Sequence, residues 1–591
     1  MPDREDRITQ LKEIISKLPQ GNITYKTIRG SKRMYLNGKY VKAANEIETL
    51  ELIDKRKKAE EELRILLDGG DIKAVQTSVD YLRYETNVIT GDRLSGMVSG
   101  VSRFKTRECF ERLQKFLDTQ VLGKVCLLYG LRRTGKTIML FQAIARLQIE
   151  RCAYIKIMTT DDMARLNSDL RILSDNGYKY VFIDEITLMT DFIDSASLLS
   201  DVYAMGGMKI VISGTDSLGF AFSSDEELYD RTVFIHTTFI PFREYASLLG
   251  IHDIDEYIRF GGTFRIAETD FDDPGLNDEG SSFRDDETTR RYIDTAIARN
   301  IQHSLACYKD GTHFRHLIDL YEAGELTNAV NRIIEDMNHR FLLSVITRDF
   351  KSHDLGSAAQ IDRKRSALRG EKSILDHIDK QSVVNKLMEI LDIKNKDELS
   401  ATITKDHLVE IKEYLKMLDL IIDYPIESIG TSPSEGVLFT QPGMRYCQAQ
   451  ALVYALMRDE SFRRYSAKDR LVVTNTILEE VRGRMLEEIV ILETKKSLSV
   501  GKRVFKLLFN VGEFDMVIAD EKTITCEIYE VKHTGNIYKD QYKNLLDEGK
   551  CAAAEHEYGA IIKKTVLYQG ENDVIDGINY KNVTQYLEEL V

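Results

Sequence analysis

The sequence predicts an α/β protein: a parallel sheet sandwiched by helices, then a mainly helical stretch, then a second, smaller α/β domain. Three observations carry this. Between about residues 103 and 262, the apolar runs KVCLLYG, CAYIKIM, KYVFIDE, KIVISGT and RTVFIHT are separated by the helical patterns FQAIARLQ, DDMARLNSDLRIL and SASLLSDVYAM. Such alternation is how a chain builds parallel strands joined by crossover helices. After FGGTFR at 260–265 the pattern turns helical, and from about residue 480 a long helix leads back into strands, KRVFKLLFN, EFDMVIAD, CEIYEVKH and KKTVLYQG.

The chain of 591 residues exceeds what one hydrophobic core supports, so at least three domains are expected. With 43% hydrophobic and 30% charged residues it has the composition of a globular protein, neither disordered nor fibrous. Its seven cysteines form no C-x-x-C pair, its start is charged, and no apolar run approaches the ~18 residues of a membrane span, which together predict a cytoplasmic protein with no membrane contact. The net charge of −14 excludes a protein that coats nucleic acid with its whole surface, so contact with DNA must come from local patches.

Taken in order, residues 1–90 read as a small sheet plus a helix. ITYKTIRGSKRMYLNGKYVKA alternates apolar and basic residues between the turn signals RGS and NG, and ETLELIDKRKKAEEELRILL has helical periodicity ending at Gly69 and Gly70. Tyr25, Tyr35 and Tyr40 interleave with Lys26, Arg29, Lys32, Arg33 and Lys39, a mix suited to phosphates and base faces, or simply to a solvated sheet. GDRLSGMVSGVS, residues 91–102, reads as a linker into the core domain, 91–262. Helical segments follow at 263–345. In 346–479, EYLKMLDLIIDYPI and GVLFTQPG suggest a helix feeding a hairpin, a winged-helix-like unit. The final domain spans 480–591.

GLRRTGKT, following the apolar run KVCLLY and opening a helix, fits the phosphate-loop pattern G-x-x-x-x-G-K-[ST] in its required context. Gly130, Leu131, Arg132, Arg133, Thr134 and Gly135 supply backbone amides to a polyphosphate, Lys136 reaches its terminal phosphates, and the Thr137 hydroxyl ligates Mg²⁺. YVFIDE then offers Asp184 as the metal carboxylate at a strand end and Glu185 to polarise an attacking water. Ser213 or Thr215, closing KIVISGT, is a candidate sensor of the γ-phosphate, and Arg231, with Arg132 and Arg133, a cation for the phosphates in cis or across a homo-oligomer contact.

GLRRTGKT, FIDE, ISGTDS, FIPFREY and FGGTF resemble the recurrent segments of AAA+-like P-loop ATPases of the archaeal and bacterial type, over about residues 103–265. The resemblance implies a P-loop NTPase sheet, ATP as the nucleotide and a helical lid. A clear counterpart of the family's second sensor arginine is lacking, a departure that bears on assembly into a ring.

In GEFDMVIADEKTITCEIYEVKH, Asp515 sits at a strand start, and the one-residue gap between Glu530 and Lys532 turns both to one face. Carboxylates so gathered can hold Mg²⁺ for an in-line phosphodiester displacement while a lysine orients water. This constellation is similar to the PD-(D/E)XK nuclease superfamily over about residues 480–591. The resemblance implies a restriction-endonuclease-like domain, with Glu487 in GRMLEEIV as the helix carboxylate and Gln541 in YKDQYKN on the following helix. Metal would fall to Glu487, Asp515 and Glu530, and Lys532 would complete the catalytic set. RKRSALRGEK, with Arg363, Lys364, Arg365, Arg369 and Lys372, is either a nucleic-acid patch or a solvated helix face. The expected function is an ATPase coupled to a metal-dependent nuclease-like domain acting on DNA. The alternative is an ATP-driven switch or scaffold that binds nucleic acid or a protein partner without cleaving.

Overall fold

The computed structural model describes residues 23–28, 31–36, 39–40, 84–215, 231–264, 285–307, 314–351, 403–430, 432–460 and 465–590, with a few single residues between them. Strands β1 (Ile23–Ile28), β2 (Ser31–Leu36) and β3 (Lys39–Tyr40) form the antiparallel meander that the RGS and NG turns suggest. The helix read at 48–67, apart from Leu63, and the basic run 363–372 lie outside the described residues.

The core sheet has six strands in the order β4-β6-β7-β8-β5-β9: β4 (Asn87–Ile89), β5 (Val125–Tyr129), β6 (Cys152–Lys156), β7 (Tyr180–Asp184), β8 (Lys209–Gly214) and β9 (Thr232–His236). All neighbours run parallel except β4, which pairs antiparallel with β6 at the edge. Alternate residues of each strand bury on opposite faces. Cys126, Leu128, Phe182 and Val211 pack with Met139, Leu140 and Ile144 of helix α1 (Lys136–Ala145). On the other face, Val125, Leu127, Ile183 and Ile212 pack with Leu166 and Leu170 of helix α2 (Met163–Asp175). Sheets buried on both faces read as continuous apolar runs, which is why these strands stood out in the sequence.

Two boundaries differ from expectation. GDRLSGMVSGVS is no linker: Gly91–Val98 is helical, and Leu94 and Val98, one turn apart, bury against the α1 face of the sheet. The hairpin β10 (Ile421–Ser428) and β11 (Ser434–Phe439) does not stand in a separate winged-helix-like unit. It extends the last sheet, whose order is β11-β10-β12-β13-β14-β15-β17-β16. The physical reason is an open edge: β12 (Lys502–Leu508) would otherwise expose unpaired backbone groups, and β10 satisfies them in parallel register, Ile426 opposite Lys506.

Next in this sheet come β13 (Glu513–Asp520) and β14 (Thr525–Val531), antiparallel, then β15 (Ala560–Tyr568), parallel to β14, and the short β16 (Asp573–Ile575) and β17 (Ile578–Asn582). Helix α4 (Ala467–Ser497) covers one face and helix α5 (Glu548–Tyr558) the other. Helix α3 (Phe242–Leu249), from the core domain, meets α4. Among the described residues no helix is long and apolar enough to cross a membrane, and Cys109, Cys126, Cys152, Cys447, Cys526 and Cys551 are free thiols.

Candidate functional site

The phosphate loop joins β5 to α1 at the carboxyl ends of the parallel strands, where crevices of α/β sheets lie. Gly130 has φ +144°, and a Cβ there would meet the Thr237 carbonyl oxygen at 2.7 Å; Gly135 has φ +88°. Neither position accepts an ordinary side chain without strain. Lys136 Nζ donates to the carbonyls of Gly130 and Leu131, both at 2.8 Å, and Thr134 Oγ1 donates to Leu131. Burial pushes the Lys136 ammonium down to about 8, against the pull of Glu185 and Asp184. The backbone carbonyl of Arg133, itself in the left-handed region, accepts from Phe264 N at 2.9 Å, while Arg132 is exposed and its carbonyl faces the Tyr292 hydroxyl at 3.4 Å.

Asp184, wholly buried at the end of β7, gathers this region. Its Oδ2 accepts from Thr137 Oγ1 at 3.1 Å, Tyr154 OH at 2.8 Å and Lys156 Nζ at 3.0 Å, and its Oδ1 accepts from the Ser213 hydroxyl. Burial opposes its ionisation, yet Lys156 and these hydrogen bonds hold the carboxyl below the usual carboxylate range. Thr137 and Asp184 thus present hard oxygen donors side by side, a set that suits Mg²⁺. Glu185 follows with φ 61°, a conformation uncommon outside glycine, and Thr215 Oγ1 donates to its Oε2 at 3.4 Å. The two candidate sensor hydroxyls are therefore both committed to acids, Ser213 to Asp184 and Thr215 to Glu185.

Arg231 is a correction. It precedes β9, which runs parallel to β5, so it lies at the strand starts while the loop follows the strand end. Its guanidinium pairs with Asp201 at 2.7 Å, away from the loop. The cation the sequence reading missed is Lys156, opposite Asp184 in the β6–β7 register. Arg107, also missed, is buried beneath the loop. It donates to the Thr134 carbonyl at 2.8 Å and pairs with the equally buried Glu244 at 2.5 Å. Glu244 lies on α3, whose first amide, Phe242 N, donates to Glu493 Oε1 on α4 at 2.7 Å.

The C-terminal centre lies on the adjacent strands β13 and β14, in the middle of the sheet. Lys532 Nζ bridges Asp515 Oδ2 at 2.9 Å and Glu530 Oε2 at 2.6 Å, Val531 N donates to Asp515 Oδ2 at 2.8 Å, and Asn544 Nδ2 donates to Glu530 Oε1 at 3.0 Å. Burial and the adjacent Asp515 raise the Glu530 carboxyl, to about 8, while Lys532 and Lys506 hold Asp515 ionised despite its burial. Glu487 meets a different set. One oxygen each of Glu487, Glu513 and Asp515 lie within 4.8 Å of one another, and Lys506 Nζ contacts all three residues.

The expected grouping of Glu487, Asp515 and Glu530 is therefore revised. Tyr529 and Val531 pack on the α4 face with Met516 and Ile518, so Glu530 between them turns to the other face, toward Asn544. Glu487, on α4, stays on the first face, and Asp515 touches both sets through its two lysines. Gln541 takes no part: its amide caps its own turn through Tyr538 N, Asn536 O and the Tyr580 hydroxyl. Glu513 and Lys506 had legible signals, an E-x-D alternation in GEFD and a lone lysine within the apolar run VFKLLF.

Residues 122–246 match a family described as "AAA domain". The matched span contains the phosphate loop, Asp184, Glu185 and Glu244, so the chain carries a P-loop ATPase domain of the AAA type. Among solved structures it is similar to the Orc1 protein of Aeropyrum pernix, determined in complex with DNA, at 13% identity over 62% of this chain and 93% of that one, with a TM-score of 0.20. No curated protein matches the chain.

Proposed function

We propose that the protein is an ATP-binding and ATP-hydrolysing AAA-type ATPase coupled to a nuclease-like centre that acts on DNA. The observation that carries the first half is the meeting of Thr137 Oγ1 and Asp184 Oδ2 at 3.1 Å beside a loop whose buried lysine donates to two loop carbonyls. In this reading loop amides and the Lys136 ammonium bind the triphosphate. Thr137 and Asp184 hold Mg²⁺, which neutralises phosphate charge, and Glu185 orients water. Ser213 and Thr215 position these two acids, and Arg132, exposed beside the loop, is free to meet phosphates in cis or from a second copy.

For the C-terminal centre, Asp515 and Glu530 supply oxygen donors for a divalent ion, and Lys532 touches both and is placed to orient a water or neutralise developing charge. Arg107, Glu244 and Glu493 give the two centres a shared support running from the Thr134 carbonyl to α4. A second reading, a switch whose centre binds nucleic acid or a protein partner without cutting, is favoured by one observation: Asp515 and Glu530 are already paired with Lys532.

Titration of ATP and Mg²⁺ into the full chain tests the first half. Lys136→Ala is expected to abolish binding. Glu185→Gln is expected to bind normally and turn over at least ~100-fold more slowly; unchanged turnover removes Glu185 from this role. Incubating DNA with Mg²⁺ or Mn²⁺, with and without ATP, separates the two readings. Cleavage lost in Lys532→Ala favours the nuclease, and DNA left intact by both proteins favours the switch.

A further inference from the structure

The cup formed by Glu487, Glu513 and Asp515 contains its own cation. Lys506 is only 1% exposed, and its Nζ lies 3.0 Å from Glu487 Oε2, 2.8 Å from Glu513 Oε1 and 3.7 Å from Asp515 Oδ1. Three carboxylates offering oxygens within 4.8 Å of one another suit a hard divalent ion. Here one ammonium already sits among them.

The backbone is built to place it. The β12–β13 ladder pairs Phe505 with Val517 but Leu507 with Phe514, so two residues of β13, Asp515 and Met516, face the single Lys506. At this bulge Met516 packs on the α4 side and Phe514 and Val517 on the α5 side, while Asp515 reaches both lysines, Oδ1 3.7 Å from Lys506 and Oδ2 2.9 Å from Lys532. On its other flank Lys506 is opposite Ile426 of β10, so it is enclosed by strands on both sides and by the helix that carries Glu487. Arg484, one turn before Glu487, pairs with Glu487 and approaches Glu513 at 3.5 Å. The cup thus holds three negative charges facing two fixed positive ones, with Lys532 on the far side of Asp515.

We propose that Lys506 is the resident cation of the Glu487–Glu513–Asp515 cup, doing there what a divalent ion would do, so that the cup takes no divalent ion while Lys506 is in place. The ammonium screens the mutual repulsion of the carboxylates and fixes their positions, as a bound ion would, without an exchangeable ligand. A divalent ion entering the cup must first displace a side chain anchored in the middle strand of a five-strand neighbourhood, from β11 to β14. The proposal concerns ion binding alone and stands whether or not the centre cleaves DNA.

Mn²⁺ binding to the full chain without nucleotide, followed by calorimetry and electron paramagnetic resonance, tests it. Lys506→Met is expected to bind one more Mn²⁺ than wild type, and Lys506→Met/Glu513→Gln is expected to lose the added ion. Equal stoichiometry and affinity in wild type and in a Lys506→Met protein that melts cooperatively overturns the proposal, as does an anomalous Mn²⁺ peak among Glu487, Glu513 and Asp515 in wild-type crystals. If Lys506→Met does not fold in metal-free buffer, Lys506→Gln takes its place. Folding of either variant restored by Mn²⁺ but not by NaCl of equal ionic strength supports the proposal, and failure of Mn²⁺ to restore either overturns it.

Discussion

Lys136 illustrates how one side chain links loop geometry to nucleotide affinity. Burial lowers its ammonium to about 8 in the free protein, and a bound triphosphate, adding negative charge beside it, favours the protonated form. The sign follows: as pH rises through 8 the free lysine loses its proton, and binding must take one up. We therefore expect ATP affinity to fall between pH 8 and 9.5, with proton uptake detected as a dependence of the binding heat on the ionisation enthalpy of the buffer. No proton uptake across that range means that the ammonium stays charged throughout. The loop was legible in the sequence because its function rests on spacing along the chain, glycines and lysine at fixed offsets. Lys156 was not, because it meets Asp184 through the parallel register of β6 and β7, and nothing in YIK or FID taken alone specifies that register.

At the level of elements, the core sheet was readable from its continuous apolar strands, while the hairpin 421–439 was assigned to the wrong neighbour. A hairpin announces itself locally by its turn, but the edge it pairs with lies 80 residues further along the chain, at β12, Ile426 opposite Lys506. The β12–β13 bulge is similarly silent: GEFDMVIAD alternates like a regular strand, and only the finished ladder shows that Asp515 and Met516 both stand opposite Lys506. The buried pair of Arg107 and Glu244, which ties the phosphate loop to α3, makes an expectation specific to these elements. Arg107→Met leaves Glu244 buried and uncompensated, a defect that typically costs about 3–5 kcal/mol. We expect the variant to unfold its ATPase domain at lower urea than wild type and to bind ATP more weakly, because the Thr134 carbonyl loses its donor. The double variant Arg107→Met/Glu244→Met is expected to regain part of the stability and none of the affinity. An unchanged urea midpoint in the single variant rules out a structural role for the pair.

Over the whole molecule, the division into consecutive domains gives way to shared cores. Strands of the ATPase sheet pack in one cluster with Ile411, Leu415, Leu420 and Met444, and α3 packs in another with α4 and the last sheet. Glu493 sits in that second junction, buried on α4, accepting from Phe242 N at the start of α3. Burial is the largest influence on it, outweighing that hydrogen bond and contact with Tyr257, and it raises the carboxyl from an ordinary 4.5 to about 8. An acid that holds its proton more tightly when folded than when unfolded contributes stability that is whole below the unfolded value. That contribution is lost progressively as pH rises from about 4.5 toward 8. Glutamine at this position keeps a carbonyl for Phe242 N and cannot ionise. The melting temperature of Glu493→Gln, measured relative to wild type, is therefore expected to rise between pH 5 and pH 8.5. A difference that stays constant over that interval would mean that Glu493 titrates alike in folded and unfolded chains, and that the junction between the ATPase and the C-terminal sheet carries no ionisable strain.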